Sequence, residues 1–242
     1  MNLLYSIVLM CHIMVGSAAL LLFWIPAINR KGSLDHIKFG RYYANTMYMV
    51  AGSGMLICVL VLIAPLAIHG LDLDKLSPEQ ARLNIRLFAL FLLYLSWLTL
   101  ASVRHGMLVL RVKQNRILLR SVSHLALLSL LTIGGVSLFG LGLWFNKVLH
   151  IIFGILGTII GSQMLIYCWR RRIGPRQWWI EHLGAMIGSG IGAYTAFLTF
   201  GARQVLAAAG YWQLFFWVAP GIIGAVVIAH LSRKYQLEFQ GK

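Results

Sequence analysis

Apolar residues in this chain come in long, nearly unbroken runs, without the strict alternation of a half-buried strand. Seven runs reach the roughly 20 residues a helix needs to cross the hydrocarbon core of a bilayer: 3–28, 39–62, 83–103, 117–144, 148–169, 178–200 and 211–231. The pattern therefore predicts an all-α polytopic bundle of seven transmembrane helices, one domain spanning 1–242, and argues against a barrel. Polar punctuation sets the turns. Asn29 to Ser33 reverses the chain, with Ser33 or Asp35 placed to cap the second helix, and Ser77 is placed to cap the third. Phe145, Asn146 and Lys147 form a short turn between the fourth and fifth helices, and Pro220-Gly221 predicts a kink in the seventh. The third helix is expected to leave the membrane at Arg104 and His105 into a basic loop, and His124 to lie about two turns inside the fourth. The stretch 65–78, followed by Glu79 and containing Asp72 and Asp74, reads as the longest external loop.

Composition agrees and adds an orientation. Hydrophobic residues make up 60% of the chain and charged residues only 11%, with mean hydropathy +0.80, outside the range of soluble domains. The net charge is +15. Counted alternately across the seven spans, sixteen Lys and Arg fall on one side, including Arg30, Lys31, Arg104, Arg116, Arg170 and Arg233, and five on the other: Lys75, Arg82, Arg86, Lys147 and Arg203. The positive-inside rule then puts the N-terminus outside and the C-terminus in the cytoplasm. Such loops suit anionic inner-leaflet lipid, not nucleic acid, and the expected location is a bacterial inner membrane, as a multi-pass protein. The run 169–179, WRRRIGPRQWW, reads as an interfacial belt. Cys11, Cys58 and Cys168 are dispersed in apolar spans and read as packing residues, not as a disulfide framework. The first run is too long for a signal-peptide core and reads as a retained span. The tail 237–241 resembles a protease-site scar.

The chemistry lies in the histidines, since ionisable groups within membrane spans are costly and mark function by default. His12 and His150 fall toward the outer half; His36, His105, His124, His182 and His230 fall toward the cytoplasmic side. A glycine follows one turn later in His12/Gly16, His36/Gly40 and His150/Gly154. Two histidines from different helices at each of two depths suit a dihaem b-type cytochrome, with glycines admitting the flat macrocycle. Its electron partner would be a quinone or another small apolar molecule. On this reading His36 pairs with His182 and His12 with His150. An alternative takes His36, His124 and His182 as a three-histidine zinc site, with Glu181 or Asp35 nearby, in a membrane hydrolase-like enzyme. A proton-coupled carrier would use the same histidines as a relay. Single histidines also serve as interhelical hydrogen bonders. Gly184, Gly188 and Gly192 form a small-residue ridge expected to admit a neighbouring helix. Phosphate loops, Gly-x-Ser-x-Gly and Cys-x-x-Cys-His are absent.

The pattern His12, Gly16, Lys31-Gly32, His36, Gly40 and Tyr43, then His182, Met186, Ser189 and Thr195-Ala196-Phe197, and finally Trp217, Pro220, Gly224 and Lys234-Tyr235 resembles a family of uncharacterised bacterial multi-spanning membrane proteins. That family is a domain-of-unknown-function group with Bacteroidetes-like members. The resemblance extends over nearly the whole chain, implies a multi-spanning topology and emphasises His12, His36 and His182. His124 and His150 are not among the residues that carry it.

Overall fold

A computed structural model describes residues 2–69, 77–174, 176–201 and 211–240. Asp72, Asp74, Lys75, Pro175, Arg203 and the end of the tail lie outside them. The elements run in the order α1 (Asn2–Ile28), α2 (Leu34–Ile63), a short α3 (Pro65–His69), α4 (Pro78–Val112), a 3-10 turn (Arg116–Arg120), α5 (Val122–Trp144), α6 (Val148–Trp169), α7 (Gln177–Ala196) with a π-helical turn (Phe197–Gly201), and α8 (Tyr211–Gln240). Seven helices are long and apolar enough to span a membrane, and no strand occurs among the described residues. This is an integral membrane protein of the all-α class. The helices overrun the predicted spans where polar residues do not break them. α4 continues through Arg104 and His105 to Val112, because long basic side chains can extend toward water while their backbone stays helical. In contrast, 116–120 forms a separate 3-10 turn, and α5 starts at Val122.

The chain divides into two compact units, Met1–Leu100 and Ala101–Lys242. In the first, α1 and α2 pair as a hairpin. Gly32, at φ +83°, makes the reversal, a backbone region that glycine enters without steric cost. Ser33 is the cap of α2, its Oγ accepting from the His36 N–H at 3.2 Å. Lys31 closes the preceding helix by donating from Nζ to the carbonyls of Pro26 and Ala27, a cation at a helix C-terminus. Burial lowers its pKa from the ordinary lysine value. On α2, Tyr43, Ala44, Met47 and Ala51 are buried, whereas α1 buries only Ala19 and Pro26. Ser77 caps α4 through the Gln80 N–H at 3.3 Å, as its position predicts.

In the second unit α5 and α6 form the closest hairpin. Asn146, at φ +52°, turns the chain between them, a conformation asparagine tolerates better than most residues. A side-chain carbon on Gly154 would stand 2.6 Å from the Phe139 N and 2.8 Å from the Gly135 O. At Gly142 it would meet the Ile151 N at 2.7 Å, and at Gly161 the Thr132 Oγ1 at 2.5 Å. These glycines exist so that two backbones can touch. α7 and α8 pair differently: Ile191 occupies the space over Gly224, while Gly188 has nothing within 4 Å and Gly184 meets only Ile228, at 3.8 Å. At Gly184 and Gly188 the expected ridge therefore does not carry a close approach, whereas Gly224 on the opposite helix is packed tightly, against the Ile191 side chain. α8 runs through Pro220 as one helix.

Candidate metal centre

Four segments of the second unit bring reactive side chains to one end of it. The α4 helix, by continuing past its predicted exit, carries His105 into the interior; His124 stands in the first turn of α5, Cys168 in the last turn of α6, and Glu181 in the second turn of α7. His105, His124 and Cys168 are fully buried, and one ligand atom from each lies within 4.8 Å of the other two. The two imidazoles are nearly parallel, with centroids 5.4 Å apart and 11° between planes. His105 Nδ1 and His124 Nε2 are 3.1 Å apart.

Glu181 fixes the arrangement. Its Oε1 accepts from His105 Nε2 at 3.1 Å, and the carboxylate is 24% exposed. A carboxylate accepts only, so Nε2 carries the proton and Nδ1 presents its lone pair toward His124. His124 in turn has a buried Nδ1 without a hydrogen-bond partner among the described residues. Such an atom calls for a hydrogen-bond partner such as a water, while the ring's other nitrogen, Nε2, is the one that faces His105. The backbone of Cys168 is anchored from the 3-10 turn: Arg120 Nε donates to its carbonyl at 3.1 Å. Arg116 donates from both terminal nitrogens to the carbonyls of Arg170 and Arg171. Arginines thus close the C-terminal end of α6 and satisfy its last carbonyls.

Two imidazoles and a thiol suit a borderline-soft divalent ion of the zinc type. With bonds of about 2.0–2.1 Å to nitrogen and 2.3 Å to sulfur, tetrahedral zinc separates its donors by roughly 3.3–3.7 Å. The 3.1 Å between the imidazole nitrogens, within a group spanning no more than 4.8 Å, is near that spacing. A carboxylate on the far nitrogen of a ligating histidine is the common outer partner of such ions. Haem does not fit between these two rings, because axial ligands must stand on opposite faces of a macrocycle and these nitrogens are already in hydrogen-bond contact.

Of the ligands expected for zinc, only His124 belongs to this group. His182 instead directs Nδ1 to the Gly106 carbonyl at 3.0 Å, against α4, where Ala185 and Met186 also sit over Gly106. His36 directs Nδ1 to the Pro26 carbonyl at 2.9 Å in the first unit. His105, expected in a loop, and Cys168, read as packing, take the other places; Glu181, expected beside the site, supports it through His105. The residues considered for haem divide between the two units. His12 Nδ1 meets Ser53 Oγ at 2.8 Å, and Ser53 itself reaches the Met49 carbonyl at 2.7 Å. His150 is buried at the start of α6, its Cβ against Gly142. Gly16 has open space beside it and Gly40 faces Pro26 at 3.9 Å. Gly154 leaves no room for a flat ring, since α5 backbone fills that face. No protein-family model, curated protein or solved structure matches the chain.

Proposed function

We propose that this protein is a membrane-embedded metalloprotein whose His105, His124 and Cys168 hold one divalent transition-metal ion of the zinc type, in a hydrolase-like enzyme. The observation that carries the reading is the continuous arrangement from Glu181 through His105 to His124, with the Cys168 thiol in the same group. Three protein donors leave a fourth position for water or substrate, the pattern of catalytic and not of structural sites. A bound ion would there supply Lewis acidity and lower the pKa of a bound water. Glu181 orients His105, and Cys168 supplies a thiolate once its proton is released. Elemental analysis of the purified protein tests this. About one zinc-type ion per chain is expected, lost in a His105→Ala/Cys168→Ser variant and retained in His182→Gln; a metal-free wild type that takes up none on incubation would refute it.

A second reading, haem b bound by His12, His36, His150 and His182, draws support from tautomers. Pro26 and Gly106 present carbonyls, which only accept, so His36 and His182 each carry the proton on Nδ1 and leave Nε2 as the lone-pair nitrogen, the form in which histidine ligates iron. A Soret band in the visible spectrum of the purified protein would favour it. For topology, the sixteen-to-five bias supports an external N-terminus and a cytoplasmic C-terminus in a bacterial inner membrane, facing anionic lipid. A reporter fused after Arg116 should read as cytoplasmic, and an external signal would overturn the orientation.

A further inference from the structure

α2 stops at Ile63 because the residue before a proline is driven out of the helical region, and Ala64, ahead of Pro65, stands at φ −131°, ψ 63°. Pro65 then opens the short α3, where a missing N–H costs nothing. The Leu62 carbonyl is thereby left among the last four of α2, which have no partner within the helix. Arg86 on α4 supplies one, donating from Nε at 3.3 Å. This break in the chain leaves a cleft of about 320 Å³, lined by Ile63, Pro65, Leu66 and Ala67 together with Arg82 and Arg86; ligand sites run from about 300 to 1,000 Å³. The two arginines are four residues apart and share a face of α4, although like charges at that spacing repel. Both are exposed, and neither pairs with a carboxylate among the described residues. Arg86 commits only Nε to Leu62, so its two terminal nitrogens remain as donors. Glu79, one turn before Arg82, is not part of the lining. Both arginines also belong to the five basic residues on the sparsely charged side of the chain, so the positive-inside bias does not account for them.

We propose that this cleft binds the headgroup of an anionic phospholipid, with Arg82 and Arg86 holding its phosphate. Guanidinium groups match pairs of phosphate oxygens, and an anion shared by the two relieves their mutual repulsion. The apolar part of the lining favours a lipid over a soluble anion. Ile63 is 67% exposed in the last turn of a helix long and apolar enough to cross the membrane, where the headgroup region begins, and it offers the lipid's glycerol and first methylenes an apolar surface. Arg86 also covers the carbonyl end of α2, whose partial negative charge opposes an anion. The site lies wholly within the first unit and does not rest on the metal reading.

The test titrates the full chain, in neutral detergent, with a short-chain phosphatidylglycerol carrying a photoactivatable group. Mapping the cross-linked peptides by mass spectrometry separates this cleft from the basic loops elsewhere. Wild type should label saturably within 62–69 and 78–86. Arg82→Gln/Arg86→Gln should weaken that labelling about tenfold and leave labelling elsewhere unchanged. Arg82→Gln alone spares the Arg86 bond to Leu62 and keeps the test open if the double variant fails to fold; about threefold weakening is expected of it. Asp72→Asn/Asp74→Asn asks whether the chain's own acids are the occupants. Unchanged labelling is expected there, and a tenfold gain would overturn the proposal in their favour. Displacement of the label by millimolar inorganic phosphate, with labelling elsewhere intact, would overturn it in favour of a soluble anion. Absence of saturable labelling in wild type, or equal labelling of wild type and Arg82→Gln, would overturn it outright.

Discussion

Glu181→Gln isolates the outer group of the candidate metal centre. The substitution keeps size and keeps an oxygen able to accept from His105 Nε2, where the carboxylate now sits at 3.1 Å, but it removes the charge. Charge-assisted hydrogen bonds are roughly twice as strong as neutral ones, and loss of such outer partners typically weakens metal binding 10- to 100-fold, or about 1.4–2.7 kcal/mol. Because Glu181 is 24% exposed, water screens part of its charge, and the lower end, about tenfold, is expected. Zinc affinity, measured by competition with a chromophoric chelator in detergent, should fall by that amount in Glu181→Gln. It should stay within about twofold of wild type in His182→Gln, whose ring nitrogen is engaged with the Gly106 carbonyl. Unchanged affinity in a folded Glu181→Gln would refute the role given to the carboxylate, and an equal loss in His182→Gln would restore the three-histidine set.

Gly154→Ala should lower stability by about 1–3 kcal/mol, since its new carbon meets backbone that cannot swing away. Gly140→Ala, on the same hairpin with nothing within 4 Å, should be neutral or stabilising by up to about 1 kcal/mol; thermal unfolding in detergent reads both, and equal shifts would contradict the packing. Gly188→Leu should express and melt much like wild type, whereas Gly224→Leu should not, because Ile191 already fills the space over Gly224. Ser33→Ala should cost about 1 kcal/mol through loss of the α2 cap, a value that a melting series can check.

The seven helices were legible because length and hydropathy act over twenty residues at once and are insensitive to any one side chain. Ser33 and Ser77 were legible as caps because capping is local chemistry. The candidate metal centre had no such local signature. His105 and His124 are 19 positions apart and His105 and Glu181 are 76 apart, so no short spacing joins the donors. His105 was further hidden by Arg104, which reads as a membrane exit although α4 runs on to Val112. Cys168 was hidden by its chemistry, since a thiol in an apolar run looks like any other packing residue. The glycines one turn after histidines were visible, yet spacing alone does not separate a cradle for a flat ring from a contact between helices. At Gly154 the neighbouring backbone decides for the contact.

The central claim is that a thiolate and two imidazoles from three helices share one ion, and cobalt reports this directly. Protein stripped of metal and reloaded with Co(II) should show an intense near-ultraviolet thiolate-to-cobalt charge-transfer band together with the visible bands of tetrahedral coordination, at about one ion per chain. Cys168→Ser should remove the charge-transfer band, and His124→Ala should abolish the tetrahedral spectrum. Cobalt bound without a charge-transfer band, or a spectrum indifferent to Cys168, would contradict the account.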